Sequence, residues 1–223
     1  MIQAKDLLVR NKRWSEKIAS EKSGYFPRLA AQGSPDFLWI GCSDARVAAS
    51  QIVDMMPGEI FVHRNVANLV IHSDLSCLSA MQFAVEALSV RHIIVCGHYG
   101  CSGIAAALRD ERHGLVDNWL RHVRDIVNRH RTKIESIELE EDQLRLLAEL
   151  NIVSQVRNVS DSTVVQDAWK RGQKLTIHGW IYDVSDALLH DMGVTITAGS
   201  NSALVEKRAI NRILRGELLT ANL

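Results

Sequence analysis

The chain has 223 residues, 47% of them hydrophobic and 23% charged. That is long and apolar enough to bury a substantial core, which excludes a disordered chain. Lys plus Arg and Asp plus Glu number 26 each, for a formal net charge of zero, so a global basic footprint for nucleic acid is excluded. No apolar run approaches the length of a membrane span.

The opening residues Met1–Asp6 carry no apolar signal core, so a cytoplasmic chain is expected, with its four cysteines (Cys42, Cys77, Cys96 and Cys101) kept reduced. One domain is expected over 1–223: a helical arm over 1–34, an α/β core over 35–200 and a C-terminal helix over 201–223. Residues 3–22 read as an amphipathic helix with Leu7, Trp14 and Ile18 on one face. Such a face packs on its own domain or on a partner subunit. Phe37–Gly41 reads as a buried strand and Glu59–His63 as a second. Asp74 caps a helix running to Leu88, in which Leu78, Met81, Val85 and Leu88 share a face. Arg91–Gly97 is the third strand, followed by a helix from Ser102 to Arg109.

Further helices are expected over 117–131, about 138–158 and Ser162–Arg171, the last stopped by Gly172. Leu175–Tyr182 is the fourth strand, Val194–Ala198 an edge strand and Ala203–Leu214 a final helix. Strands alternating with helices imply an α/β fold with a mostly parallel sheet flanked by helices. In such sheets functional residues gather beyond the carboxyl ends of strands.

Two strand ends carry the chemistry. After the first comes Cys42-Ser43-Asp44-Ala45-Arg46, and after the third comes His98-Tyr99-Gly100-Cys101. Together they offer two thiols, an imidazole and a carboxylate, the ligand types zinc prefers in a four-coordinate site. Cys77, on a helix, and Cys96, in mid-strand, read as small buried hydrophobes. Asp44 has two options. It ligates the cation, or it pairs with Arg46 and leaves the metal open to water. A Cys/His nucleophilic pair at the same residues is an alternative, with His98 as base, but it leaves the other thiol and Asp44 without a role. The glycines at 97, 100 and 103 do not space as a dinucleotide fingerprint.

Cys42-x-Asp44-x-Arg46 followed by His98-x-x-Cys101 resembles the β-class carbonic anhydrases. Residues 61–70, 94–101, 118–120, 168–172 and 178–182 are similar as well, so the likeness spans about 25–215. The resemblance implies one Zn2+ per chain on Cys42, His98 and Cys101, and Asp44 with Arg46 as the catalytic pair. It also implies reversible hydration of carbon dioxide by a zinc-bound hydroxide, and self-association as a homodimer or homotetramer through the N-terminal arm. Neither a nucleic acid nor a membrane is an expected partner. One subgroup of the family, the bicarbonate-regulated type II bacterial enzymes, binds bicarbonate at a second site. Trp39, Arg64 and Tyr182 match that site; when it fills, Asp44 leaves Arg46 and closes the metal.

Ser102, Ala45, Ala48 and Ala187 depart from the subgroup's usual Gly, Ser, Pro and Gly. His63, His92 and His178 read as satisfied strand residues, and His122, His130 and His190 as exposed. Two rival readings share the fold: a hydrolase of carbon disulfide or carbonyl sulfide, and a non-catalytic bicarbonate-sensing zinc protein. Activity against each gas separates the first, and zinc without turnover identifies the second.

Overall fold

The structure is a computed structural model that describes residues 2–217. These divide into two units, one ending at Ser34 and the other beginning at Pro35. The first holds α1 (Ala4–Glu21) and α2 (Tyr25–Ala30). The Gln3 N–H donates to Asp6 Oδ2 at 2.8 Å and fixes the start of α1. Helix α1 buries none of its residues, and Leu7, Leu8 and Trp14 are exposed. Trp14 meets Phe26 edge-on, with ring centroids 5.7 Å apart.

The second unit is built on five strands, β1 (Phe37–Cys42), β2 (Ile60–Asn65), β3 (His92–His98), β4 (Thr176–Asp183) and β5 (Leu188–Thr197), in the spatial order β2-β1-β3-β4-β5. The first four run parallel, and β5 pairs antiparallel with β4. The pleat sorts the side chains. Leu38, Ile40, Ile93, Val95, Ile177 and Ile181 enter the main core. Trp39, Ile94, Cys96 and Tyr182 enter a smaller cluster on the opposite face.

The main core is closed by α4 (Leu75–Gln82), α5 (Ser102–Leu108), α6 (Val116–Glu135), α7 (Glu140–Asp161), α8 (Thr163–Lys170) and α9 (Ser202–Leu214). The other face carries Val47, Ala49 and Ile52 around the short α3 (Ala49–Ile52). Helix α7 is the centrepiece, with Leu147, Leu150, Ile152, Val153, Val156 and Val159 fully enclosed. Gly179 in β4 is what lets α7 approach. A Cβ there would stand 2.9 Å from Val156 Cγ2 and 3.0 Å from Ile152 Cγ2, with Val194 closer still. We expect Gly179→Ala to destabilise the fold by about 1–3 kcal/mol through overpacking; an unchanged denaturation midpoint would contradict this.

Two elements differ from expectation. The helix from Asp74 stops being α-helical at Gln82 and continues as a π-helical turn, Phe83–Ala87. Asp74 does cap it, accepting from the Ser76 N–H at 3.0 Å. The edge strand begins at Leu188, six residues before the expected Val194. Its first half is hidden from pattern reading by a β-bulge. Trp180 pairs with Asp191 but Gly179 pairs with Val194, which breaks the alternation. Ala187 closes the β4–β5 hairpin at φ 62°, a left-handed conformation that costs an alanine about 1 kcal/mol where glycine is free. The C-terminal helix ends at Leu214, and residues 218–223 of the expected C-terminal segment lie outside the described residues. Among the described residues no helix is long and apolar enough to cross a membrane.

Candidate metal centre

Strands β1 and β3 are parallel neighbours, with Gly41 opposite Cys96. Their carboxyl ends therefore deliver Cys42 and His98 side by side. The turn after β3 then returns Cys101 to the same point as the residue before α5. The donor atoms of Cys42, His98 and Cys101 all lie within 4.8 Å of one another, and all three residues are buried. The two sulfurs are 3.8 Å apart.

The imidazole is oriented for a cation. His98 Nδ1–H donates to the Tyr99 carbonyl at 2.9 Å, which leaves the lone pair on Nε2. That Nε2 is buried with no hydrogen-bond partner among the described residues. A buried acceptor left facing two thiols costs free energy unless an ion completes it, and a metal-bound histidine typically donates its other nitrogen to a carbonyl in this way. The residues present therefore fit zinc.

The electrostatics agree. The hydrogen bond with the Cys101 thiol, followed by the backbone N–H groups of Asp44 and Ala67, pulls Cys42 down to about 4. Cys101 is pushed up by that same hydrogen bond and then by burial, while the N–H groups of Gly103 and Ile104 at the start of α5 favour its thiolate. A cation placed between the sulfurs would release the shared proton.

Asp44 stands at the rim. Arg46 grips it bidentately, Nε to Oδ1 at 2.9 Å and Nη2 to Oδ2 at 2.6 Å, and also donates to the Gly100 carbonyl at 3.1 Å. The guanidinium holds the carboxyl well below the usual carboxylate range. Of the four metal candidates, Cys42, His98 and Cys101 form one ligand group. Asp44 Oδ2 lies 3.8 Å from His98 Nε2.

Arg64 of β2 donates from Nε to the Cys42 carbonyl at 2.8 Å and from Nη2 to the Asp44 carbonyl. It thus clasps the loop that carries both residues. Trp39 and Tyr182 are buried in the smaller cluster. Gly41 makes room for the indole, since a Cβ there would meet Trp39 Nε1 at 2.6 Å. Ser102 opens α5 with an exposed side chain, and Ala48 precedes α3 without a side-chain cap. His92 Nδ1 and His178 Nε2 lie 3.1 Å apart, each satisfying the other. His122 is exposed, but His130 and His190 are half-buried, not exposed.

Some contributors escape a sequence reading. Ala67 adopts φ 64°, a strained conformation for alanine, and its N–H serves Cys42. Nothing in its residue type announces this. Tyr99 Oη donates to the buried Glu149 at 2.7 Å, and the Arg145 guanidinium lies 3.7 Å from the Tyr99 ring centroid. This brace backs the turn that carries His98 and Cys101. Glu149, a lone acid inside the run Leu146–Leu150, was the signal available for it.

A family model described as carbonic anhydrase matches residues 37–189. A carbonic anhydrase of Emericella nidulans is 41% identical over 187 residues, covering 82% of this chain and 81% of its own length. Among solved structures, a β-carbonic anhydrase of Coccomyxa superposes with a TM-score of 0.86 at 34% identity, covering 95% of this chain and 96% of that one. One of two tetrameric β-carbonic anhydrases of Sordaria macrospora gives 0.80 at 33% identity, covering 85% and 96%. The fold and its metal-ready strand ends are thus those of a metal-dependent lyase. The chain belongs to the β-carbonic anhydrase family of zinc enzymes, which interconvert carbon dioxide and bicarbonate.

Proposed function

We propose that one zinc ion per chain is held by Cys42, His98 and Cys101, and that Asp44 and Arg46 are the catalytic pair for carbon dioxide hydration. The observation that carries this is the buried, unpartnered His98 Nε2 facing two sulfurs 3.8 Å apart. When bound, zinc supplies Lewis-acid chemistry that acidifies water near neutral pH. Asp44, ionised throughout the working range and acceptor-only, accepts the hydrogen bond of the reacting water and turns its free lone pair toward the carbon. Arg46 fixes the rotamer of Asp44 and ties it to the Gly100 carbonyl, so the acceptor is set before substrate arrives. The reading is tested by zinc content and turnover measured together, with and without chelator. Turnover that survives zinc removal would refute it in favour of a cysteine nucleophile.

The chain is further assigned to the bicarbonate-regulated subgroup. Three features support this. The Trp39 indole N–H and the Tyr182 hydroxyl make no hydrogen bond among the described residues, and Arg64 is spent on the carbonyls of Cys42 and Asp44. A bicarbonate drawn to that guanidinium loosens its hold on the Asp44 loop, and Asp44 then swings from Arg46 toward the metal. Trp39→Ala and Tyr182→Phe are each expected to weaken bicarbonate inhibition several-fold. Unchanged inhibition in both, measured by initial rates against added bicarbonate, would remove the second site.

The exposed apolar side chains of α1 are proposed to serve self-association, and the relatives of Sordaria macrospora are tetrameric; sedimentation of the intact chain tests this. Four free, buried cysteines suit a reducing compartment, and we assign the cytoplasm.

A further inference from the structure

A second group of metal-ligating side chains lies outside the catalytic centre. His63 in β2 and Asp74 and Cys77 at the start of α4 bring one ligand atom each to within 4.8 Å of one another. Asp74 and Cys77 are three residues apart across the first turn of a helix, so they share a face. His63 sits on β2 between Phe61 and Asn65, the residues that meet Phe83 and Leu69 on the α4 side of the strand. The strand and the helix thus converge from different parts of the chain.

We propose that His63, Asp74 and Cys77 form a second binding site for a divalent cation of the zinc type, independent of the catalytic centre.

The donor set suits such an ion. An imidazole, a carboxylate and a thiolate are all zinc ligands, and the two anionic groups together balance a dication. Each donor is free to serve. Asp74 spends Oδ1 on the Ser76 N–H at 3.0 Å, and Oδ2 makes no hydrogen bond among the described residues. His63 Nε2 accepts a long 3.4 Å contact from Asn65 Nδ2, the second N–H of an amide whose first goes to the Leu69 carbonyl at 2.7 Å, and His63 Nδ1 makes no hydrogen bond among the described residues. Burial lowers the His63 pKa against the opposing pull of the Asp74 charge, which favours the neutral ring. Cys77 is fully enclosed, and burial, reinforced by the Asp74 charge, pushes its thiol up to about 12. The free thiol is therefore inert. Binding exchanges the Cys77 proton for the ion: Cys–SH and M2+ give Cys–S–M+ and H+, with no change of oxidation state. Asp74 also lines an open groove of about 680 Å³ beside Ile71, Ser73 and His122, so the Asp74 edge of the site faces solvent.

The ion would pin edge strand β2 to the start of α4. His63 precedes Arg64, which clasps the Asp44 loop from the next position along the strand, so occupancy would stiffen the element that presents Arg64.

The test is metal content and cadmium NMR on the full chain, loaded with zinc or cadmium alone and freed of excess ion. The expected result is a second equivalent beyond the catalytic one, seen as a second cadmium resonance in the one-sulfur region. His63→Gln and Cys77→Ala should each abolish that equivalent and that resonance while carbon dioxide hydration stays within about twofold of wild type. His63 is only half-buried, so its variant reports even if the Cys77 variant folds poorly. A single equivalent in the wild-type chain, or a second resonance that survives His63→Gln, would overturn the proposal.

Discussion

Replacing Asp44 by Asn should lower carbon dioxide hydration by about 100- to 1,000-fold, the range typical for loss of one preorganised polar group at a reacting centre, while zinc stays bound. In the proposed mechanism the carboxylate is the acceptor for the reacting water, and asparagine offers an amide that can present its NH2 there instead. The change also removes the charge that Arg46 grips through two bonds at 2.9 and 2.6 Å, so the side chain loses its fixed rotamer along with its acceptor character. Zinc content is expected to be unaffected, because Cys42, His98 and Cys101 bring their donor atoms together without Asp44. The check is the turnover of zinc-replete variant protein; a rate near wild type would take Asp44 out of the mechanism. Because Asp44 lies well below the usual carboxylate range, it remains ionised above mildly acidic pH. A fall in rate toward neutrality therefore reflects loss of the Arg46 pairing or change at the metal, not protonation of Asp44.

The second large effect is expected at Cys101. Cys101→Ser replaces a soft thiolate by a hydroxyl that stays protonated near neutrality. It leaves Cys42 and His98 as a two-donor remnant, with His98 Nε2 still buried. Zinc affinity should fall by more than about 100-fold, since even outer-shell changes cost about 10- to 100-fold, and activity should vanish with it. Competition against a chromogenic chelator measures the affinity. Wild-type retention of zinc would mean that the ion is held elsewhere. The fold is expected to survive, because Cys101 is the N-cap of α5 at the edge of the core and serine, of similar size, is a favoured N-cap residue.

Much of this could be read from the chain itself, for physical reasons that also explain the gaps. Short apolar runs such as Phe37–Cys42 and His92–His98 are strands buried on both faces, and their composition alone reveals them. The ligands follow from position, because chemistry at parallel strand ends lies within a few residues of the last apolar side chain. The first half of β5 was illegible because the bulge at Asp191–Val194 breaks the period of two. The π-helical turn at Phe83–Ala87 was illegible because periodicity cannot register one extra residue in a helical turn. The roles of Ala67, the Gly100 carbonyl and the Tyr99 carbonyl rest on backbone groups, which every residue possesses. The grasp of Arg64 on the Cys42–Asp44 loop joins positions 20 and 22 residues apart. It needed the register of β1 against β2, which places Arg64 opposite Gly41. The grouping of His63 with Asp74 and Cys77 is the same kind of fact: each residue reads as ordinary alone, and only the packing of α4 on β2 assembles them.

The most direct test of zinc-dependent hydration is the initial rate with carbon dioxide of the zinc-loaded chain, measured from mildly acidic to mildly alkaline pH and repeated after chelation and after zinc return. The expected result is a rate far above buffer that rises with pH, disappears with the zinc and comes back with it. Full zinc occupancy with no rate above buffer at any pH would contradict it.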